Sequence, residues 1–226
     1  MTRPARRQVL AAGRPAAASR QELQQGASRP RNRYGQLDPT TRRDSMHAVV
    51  TVLQPELYHR VEALWDDLER RFGLSGARIT PIPHFSWQIA PEYDFARVED
   101  CLQTVAQGLA PFEVETTGIG VFRGPAPVVF IDVRRTPALD ALHVRLWEAL
   151  RPHRRRESPY YSPEAWRPHI TLAEKDLSPA HVERVVSHLS RLPLRWTVAV
   201  DNLALIEQPQ GAVGRLRFSR RFGAAG

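Results

Sequence analysis

Apolar and polar positions change period along this chain, and the changes mark out its elements. Residues 47–53 form a short, apolar, β-branched run that predicts a strand. Leu57, Val61, Leu64, Trp65, Leu68 and Phe72 then recur at helical spacing, with Pro55 in the first turn and Gly73 as the stop. Residues 82–90 return to strand character. Asp94 is placed to cap a second helix with the stripe Phe95, Val98, Leu102, Val105 and Leu109, which Pro111 ends. A strand over 112–121 follows, broken at its edge by Gly118 and Gly120.

From Val128 the same succession begins again. A strand over Val128–Val133 precedes a helix opened by Thr136-Pro137, with Leu139, Leu142, Leu146, Trp147 and Leu150 inward. A basic and aromatic loop over 151–167 leads into a strand over 167–173. Ser178-Pro179 predicts the start of a fourth helix with Val182, Val185, Val186 and Leu189 on its face. A strand region over 195–206, a turn over 209–214 and an alternating strand over 215–221 complete the chain. Strand, helix, strand, helix, strand therefore occurs twice, without residue-level repetition. The expected fold is α+β: a bilobed, pseudo-twofold duplication spanning 46–226, with lobes at about 46–123 and 124–222. Each lobe is a small, mostly antiparallel sheet backed by two helices.

The second strand-like segment of each half carries the same short pattern: Pro83-His84-Phe85-Ser86-Trp87 and Pro168-His169-Ile170-Thr171-Leu172. A strand alternates its faces, so each histidine shares a face with the hydroxyl two residues on, roughly 6.6 Å away along the backbone. The apolar residues face the other way, as core anchors. One such tripeptide carries little information, because a histidine beside a serine on a strand is usually a half-buried polar face. Two of them, 85 residues apart in matching slots, predict a shared site. Imidazoles suit proton transfer near neutrality, and hydroxyls can donate to an anion.

This arrangement resembles the two-histidine phosphoesterase superfamily, whose bacterial members are often called 2′-5′ RNA ligase-like or RNA cyclic phosphodiesterase proteins. The pattern there is His-x-Thr/Ser-hydrophobic, twice, and the resemblance runs from about 46 to 222. It implies that the two motifs line one central groove and that His84, Ser86, His169 and Thr171 are the catalytic tetrad. It also implies a metal-independent phosphoesterase acting on a 2′,3′-cyclic phosphate or 2′-linked phosphodiester of RNA or a nucleotide. His169 is preferred as base and His84 as acid. A 2′-5′ RNA ligase, or a non-catalytic nucleotide- or RNA-binding module of the same fold, are the alternatives. Serine in the first motif, where threonine is common, keeps the hydroxyl.

Among secondary candidates, the 151–167 loop mixes cations with aromatics, a combination suited to phosphates and stacked bases. Tyr160, Tyr161, Trp166 and Arg167 from it, with Arg123 from the end of the first half, are the expected substrate-binding residues. No metal or other cofactor is expected: the motif neighbours are hydroxyls, and His181 and His188 lie elsewhere. His47, His59, His143 and His153 lack a motif partner and read as ordinary.

Composition changes the picture mainly at the N-terminus. Residues 1–45 hold ten arginines against three acids, +7 of the chain's net +8, so the rest of the chain is nearly neutral. This tail is too poor in apolar residues to order itself. Contact with RNA phosphates, a solvated extension, and a chain start at Met46 are three readings of it. Arg6-Arg7 before a short apolar run resembles an export signal, but Arg14 and Arg20 interrupt that run. With one cysteine, Cys101, and no apolar span, a soluble cytoplasmic protein without membrane contact is expected.

Overall fold

The computed structural model describes residues 45–156 and 158–223. The expected basic tail, apart from Ser45, lies outside the described residues. Among the described residues there are four α-helices: α1 (Pro55–Phe72), α2 (Phe95–Gln107), α3 (Pro137–Leu150) and α4 (Val182–Leu189). Their termini follow the local chemistry. Gly73 closes α1 in the left-handed conformation, φ 71°, where a Cβ would be strained. The Asp94 carboxylate accepts from the Arg97 N–H, and the Thr136 hydroxyl from the Leu139 N–H, capping α2 and α3. The fourth helix starts later than its Ser178-Pro179 signal. Those residues instead form a single turn, closed by the His181 N–H donating to the Ser178 carbonyl. Among the described residues no helix is long and apolar enough to cross a membrane.

Ten strands of the described residues form three antiparallel sheets. They are β1 (His47–Val52), β2 (His84–Ala90), β3 (Glu92–Tyr93), β4 (Phe112–Phe122), β5 (Val128–Val133), β6 (Arg154–Arg155), β7 (His169–Ala173), β8 (Thr197–Val200), β9 (Asn202–Glu207) and β10 (Arg215–Arg221). The first sheet has the order β10-β9-β1-β2 and the second β7-β5-β4-β8, while β3 and β6 form a two-stranded ribbon within and beside the 151–167 loop.

The sheets are not assembled from contiguous halves. β4, the last strand of the expected first lobe, pairs with β5 and β8, and β9 crosses back to pair with β1. The helices exchange in the same sense: α2 packs on β9 and β10 and α3 on β2, while α1 packs on β7 and α4 on β5. Lobes divided at 123/124 are therefore corrected to two interleaved layers, each a sheet with two helices. Hydrophobic periodicity fixes which face of a strand is buried, not which strand lies beside it. The expected strand region over 195–206 divides at Asp201, where the chain leaves the second sheet as β8 and enters the first as β9.

One large core joins the layers. Trp65, Phe85, Trp87, Trp166, Ile170 and Leu172 belong to it, drawn from both halves of the sequence. This interleaving leaves β2 and β7, the two motif strands, as edge strands of different sheets. Their Cα atoms approach within 8 Å of each other.

Candidate active site

Phe85 and Trp87 are fully buried, as are Ile170 and Leu172 to within 2%. That anchors both strands with the histidine-bearing face toward the gap between them. His84 and His169 are half-buried and are held in the same way. The Nδ1–H of His84 donates to the Ile82 carbonyl at 2.5 Å, and that of His169 to the Arg167 carbonyl at 2.7 Å. A carbonyl can only accept, so the proton of each neutral ring sits on Nδ1. Nε2 of each ring then carries the free lone pair.

Each strand is irregular at the same motif position. In the β1–β2 ladder Val49 pairs with Gln88 and Val50 with Ser86, leaving Trp87 as an extra residue. In the β5–β7 ladder Val129 pairs with Ala173 and Phe130 with Thr171, leaving Leu172 extra. A bulge interrupts the ladder and bends the strand, so a nearby carbonyl needs another donor. Tryptophans supply it reciprocally. The indole N–H of Trp166 donates to the Ser86 carbonyl at 2.9 Å, and that of Trp65 to the Thr171 carbonyl at 3.1 Å. Each half of the chain thus holds the hydroxyl residue of the other half.

Trp166 is itself fixed. It stacks on Trp87, with centroids 5.3 Å apart, and on His143 at 3.9 Å, with only 7° between the ring planes. His143 donates from Nε2 to the Trp87 carbonyl, and burial pushes its pKa down to about 4, keeping it neutral. Replacing Trp166 by phenylalanine preserves much of the stack but removes the donor. The expected loss is about 1–3 kcal/mol of unfolding free energy, the cost of a buried carbonyl left unpaired. Urea unfolding with an unchanged m-value checks it.

The electrostatics hold both catalytic candidates toward the neutral form. Burial lowers the His84 pKa below its usual 6.5, partly offset by the Ile82 carbonyl. His169 is pushed down to about 4, first by burial and further by the charges of His84 and Arg167, with the Arg167 carbonyl and Asp132 opposing. The action of His84 on His169 places the two rings in one electrostatic neighbourhood. Phe122 and Phe130 flank the His169 ring at 5.0 and 4.9 Å. Phe130 can occupy that place because Gly120 lies beneath it: a Cβ at Gly120 would stand 2.2 Å from the Phe130 ring.

The remaining expected residues divide. Arg167 lies beside His169; its Nε donates to Asp132 at 2.8 Å, and its guanidinium sits 5.0 Å from the Phe130 ring centroid. Tyr161 packs near β2, with its pKa raised first by burial and then by the Glu174 carboxylate, and its phenol in the reach of Ser86. Tyr160 is half-exposed on the same turn. Trp166 is only 2% exposed, so its expected contact with substrate is corrected: it supports Ser86 from behind. Arg123 is exposed and ion-paired with Glu183 of α4 at 2.8 Å. Among the described residues no cluster of His, Cys, Asp or Glu has the makings of a metal site.

Sequence reasoning passed over Trp65, His143, Asp132 and Glu174. Trp65 and His143 read as core-stripe or ordinary residues, and their partners lie 106 and 56 residues away. Asp132 is the cross-strand partner of His169, a pairing that no local pattern announces. Glu174 follows β7, and burial raises its carboxyl pKa.

Comparison with known proteins gives a match over residues 53–212 to the family model described as the 2′-5′ RNA ligase superfamily. Among curated proteins no sequence matches significantly. Among solved structures, TT0787 of Thermus thermophilus is similar at 19% identity and TM-score 0.54, covering 80% of this chain and all of that one. Escherichia coli LigT complexed with NADP+ is similar at 17% identity and TM-score 0.50, covering 80% of this chain and 99% of that one. At these identities the likeness is one of fold.

Proposed function

The chain belongs to the 2′-5′ RNA ligase superfamily, and we propose that it acts as a metal-independent phosphoesterase on a 2′,3′-cyclic phosphate or 2′-linked phosphodiester of RNA or a nucleotide. One observation carries this reading. Two imidazoles on adjacent edge strands are anchored identically through Nδ1, so both Nε2 atoms are free to serve one phosphorus. The nucleotide held by LigT in its NADP+ complex is in keeping with a ligand of this class.

In hydrolysis, Nε2 of His169 takes a proton from water as the water oxygen bonds to phosphorus. Nε2–H of His84 protonates the departing ribose oxygen as its bond to phosphorus breaks. His169 suits the base role because Arg167 and the charge of His84 face it and oppose its protonation. Ser86 and Thr171 donate to the non-bridging oxygens as negative charge develops there. With a 5′-hydroxyl in place of water, the same groups would join RNA ends: the 5′ oxygen bonds to phosphorus as the bond from phosphorus to the ribose 3′ oxygen breaks, the reaction for which the superfamily is named. RNA halves bearing a cyclic phosphate and a 5′-hydroxyl separate joining from hydrolysis.

The test is cyclic-phosphate hydrolysis in EDTA as a function of pH. In the free protein the base must be neutral and the acid protonated. His169 is neutral above about 4, and His84 holds its proton only below its lowered pKa, itself under the usual 6.5. The kcat/KM profile should therefore be a bell on the acid side of neutrality. Its basic limb should move up in kcat, because bound phosphate stabilises the imidazolium. EDTA should leave the rate unchanged. A profile rising steadily through pH 8, or a rate abolished by EDTA, would contradict the reading.

A further inference from the structure

A cavity of about 480 Å³ opens at the N-terminal end of β7, between that strand, the end of β5 and the 164–168 segment. It starts at the motif. Asp132, on its wall, pairs across the ladder with His169, and Arg167 precedes His169 by two residues, just before β7 begins. A ligand whose phosphate reaches Nε2 of His169 therefore has its next portion at the mouth of this cavity.

The arginines of the wall differ in what they have left to offer. Arg135 is fully committed: Nε donates to Asp140, Nη1 to the Trp166 carbonyl and Nη2 to the Pro163 carbonyl, which shapes the wall itself. Arg167 donates from Nε to Asp132, and its two terminal nitrogens make no hydrogen bond among the described residues. Arg134 has only a loose, 3.4 Å ion pair with Glu115, and its side chain is 53% exposed. Arg134 lies two residues beyond Asp132, just past the end of β5, and lines the same cavity. The cavity thus presents two guanidinium groups with donors to spare, that of Arg167 near His169 and that of Arg134 on the wall beside the end of β5. Two guanidinium groups on the wall of one cavity suit the oxygens of a phosphodiester.

We propose that this cavity is a flanking-phosphate subsite. Arg134 and Arg167 take the phosphodiester on the 5′ side of the terminal nucleotide whose cyclic phosphate lies between the histidines. The substrate is then an oligoribonucleotide end rather than a mononucleotide. This rests on the phosphoesterase reading above.

The experiment compares the full chain and Arg134→Gln on two substrates: a nucleoside 2′,3′-cyclic phosphate and a trinucleotide ending in the same cyclic phosphate. Wild type should prefer the trinucleotide by about tenfold or more in kcat/KM. Arg134→Gln should lose most of that preference, mainly through KM, and flatten its salt dependence, while the mononucleotide changes less than twofold. Equal effects on both substrates, or none on either, would overturn the subsite. If wild type hydrolyses neither, the hydrolytic reading fails by itself, and equilibrium binding then judges the subsite. A 3′-phosphorylated trinucleotide should bind at least tenfold tighter than a nucleoside 3′-monophosphate, with the advantage lost in Arg134→Gln; equal affinities would overturn it.

Discussion

Alanine at His169 or at His84 is expected to lower kcat for cyclic-phosphate opening by about 10²–10⁴-fold, the usual worth of a positioned proton-transfer group. KM should change little for His169, whose neutral imidazole contributes little to holding the ground-state phosphate, and should rise for His84, whose imidazolium pairs with it. The double variant should be no worse than the product of the singles, and milder if the two rings work as one unit. Loss of fold is not the cause to expect. Both rings are half-exposed, and the anchors of β2 and β7 are Phe85, Trp87, Ile170 and Leu172, which these substitutions leave alone. Far-UV circular dichroism and thermal unfolding check that point alongside the kinetics. A decrease of less than tenfold in either single variant would remove that histidine from the chemistry.

The hydroxyls should come next in size. Ser86→Ala and Thr171→Val are each expected to lower kcat by about 10²–10³-fold, as loss of one donor to a developing oxyanion does. Thr171→Ser should restore most of the rate, since it keeps the donor and sheds only a methyl group. Valine preserves the shape of threonine, so an equal rate in Thr171→Val would assign Thr171 a packing role only. Serine already stands at the equivalent place in β2. Ser86 is 7% exposed, so it sits deeper than the half-exposed Thr171. The serine variant at position 171 therefore asks whether the shorter side chain also reaches from the shallower side.

Local chemistry was legible in the sequence where the signal is local. The stop at Gly73, the cap at Asp94 and the Thr136-Pro137 start each depend on neighbours within four residues, and each is found where expected. The alternation that turns His84 and Ser86 away from Phe85 and Trp87 is of the same kind. What could not be read is long-range. Nothing in 112–122 says that β4 joins β5 rather than β1, and nothing in 202–207 says that β9 returns to β1. The bulges at Trp87 and Leu172 depend on the length of the partner strand. Trp166 illustrates the cost of reading composition alone. In a loop rich in arginine and tyrosine it looked like a stacking platform, whereas its indole N–H is spent on a carbonyl 80 residues away. His143 carried no local sign of its place in that stack.

The claim beneath all of this is that both imidazoles address a single phosphate. Titration of the full chain with a nucleoside 3′-monophosphate, followed through the Cε1–H resonances of His84 and His169, tests it most directly. The account predicts that both resonances shift together, with one Kd, one equivalent and a raised pKa for at least one ring. Two different Kd values, or a shift confined to one histidine, would contradict it.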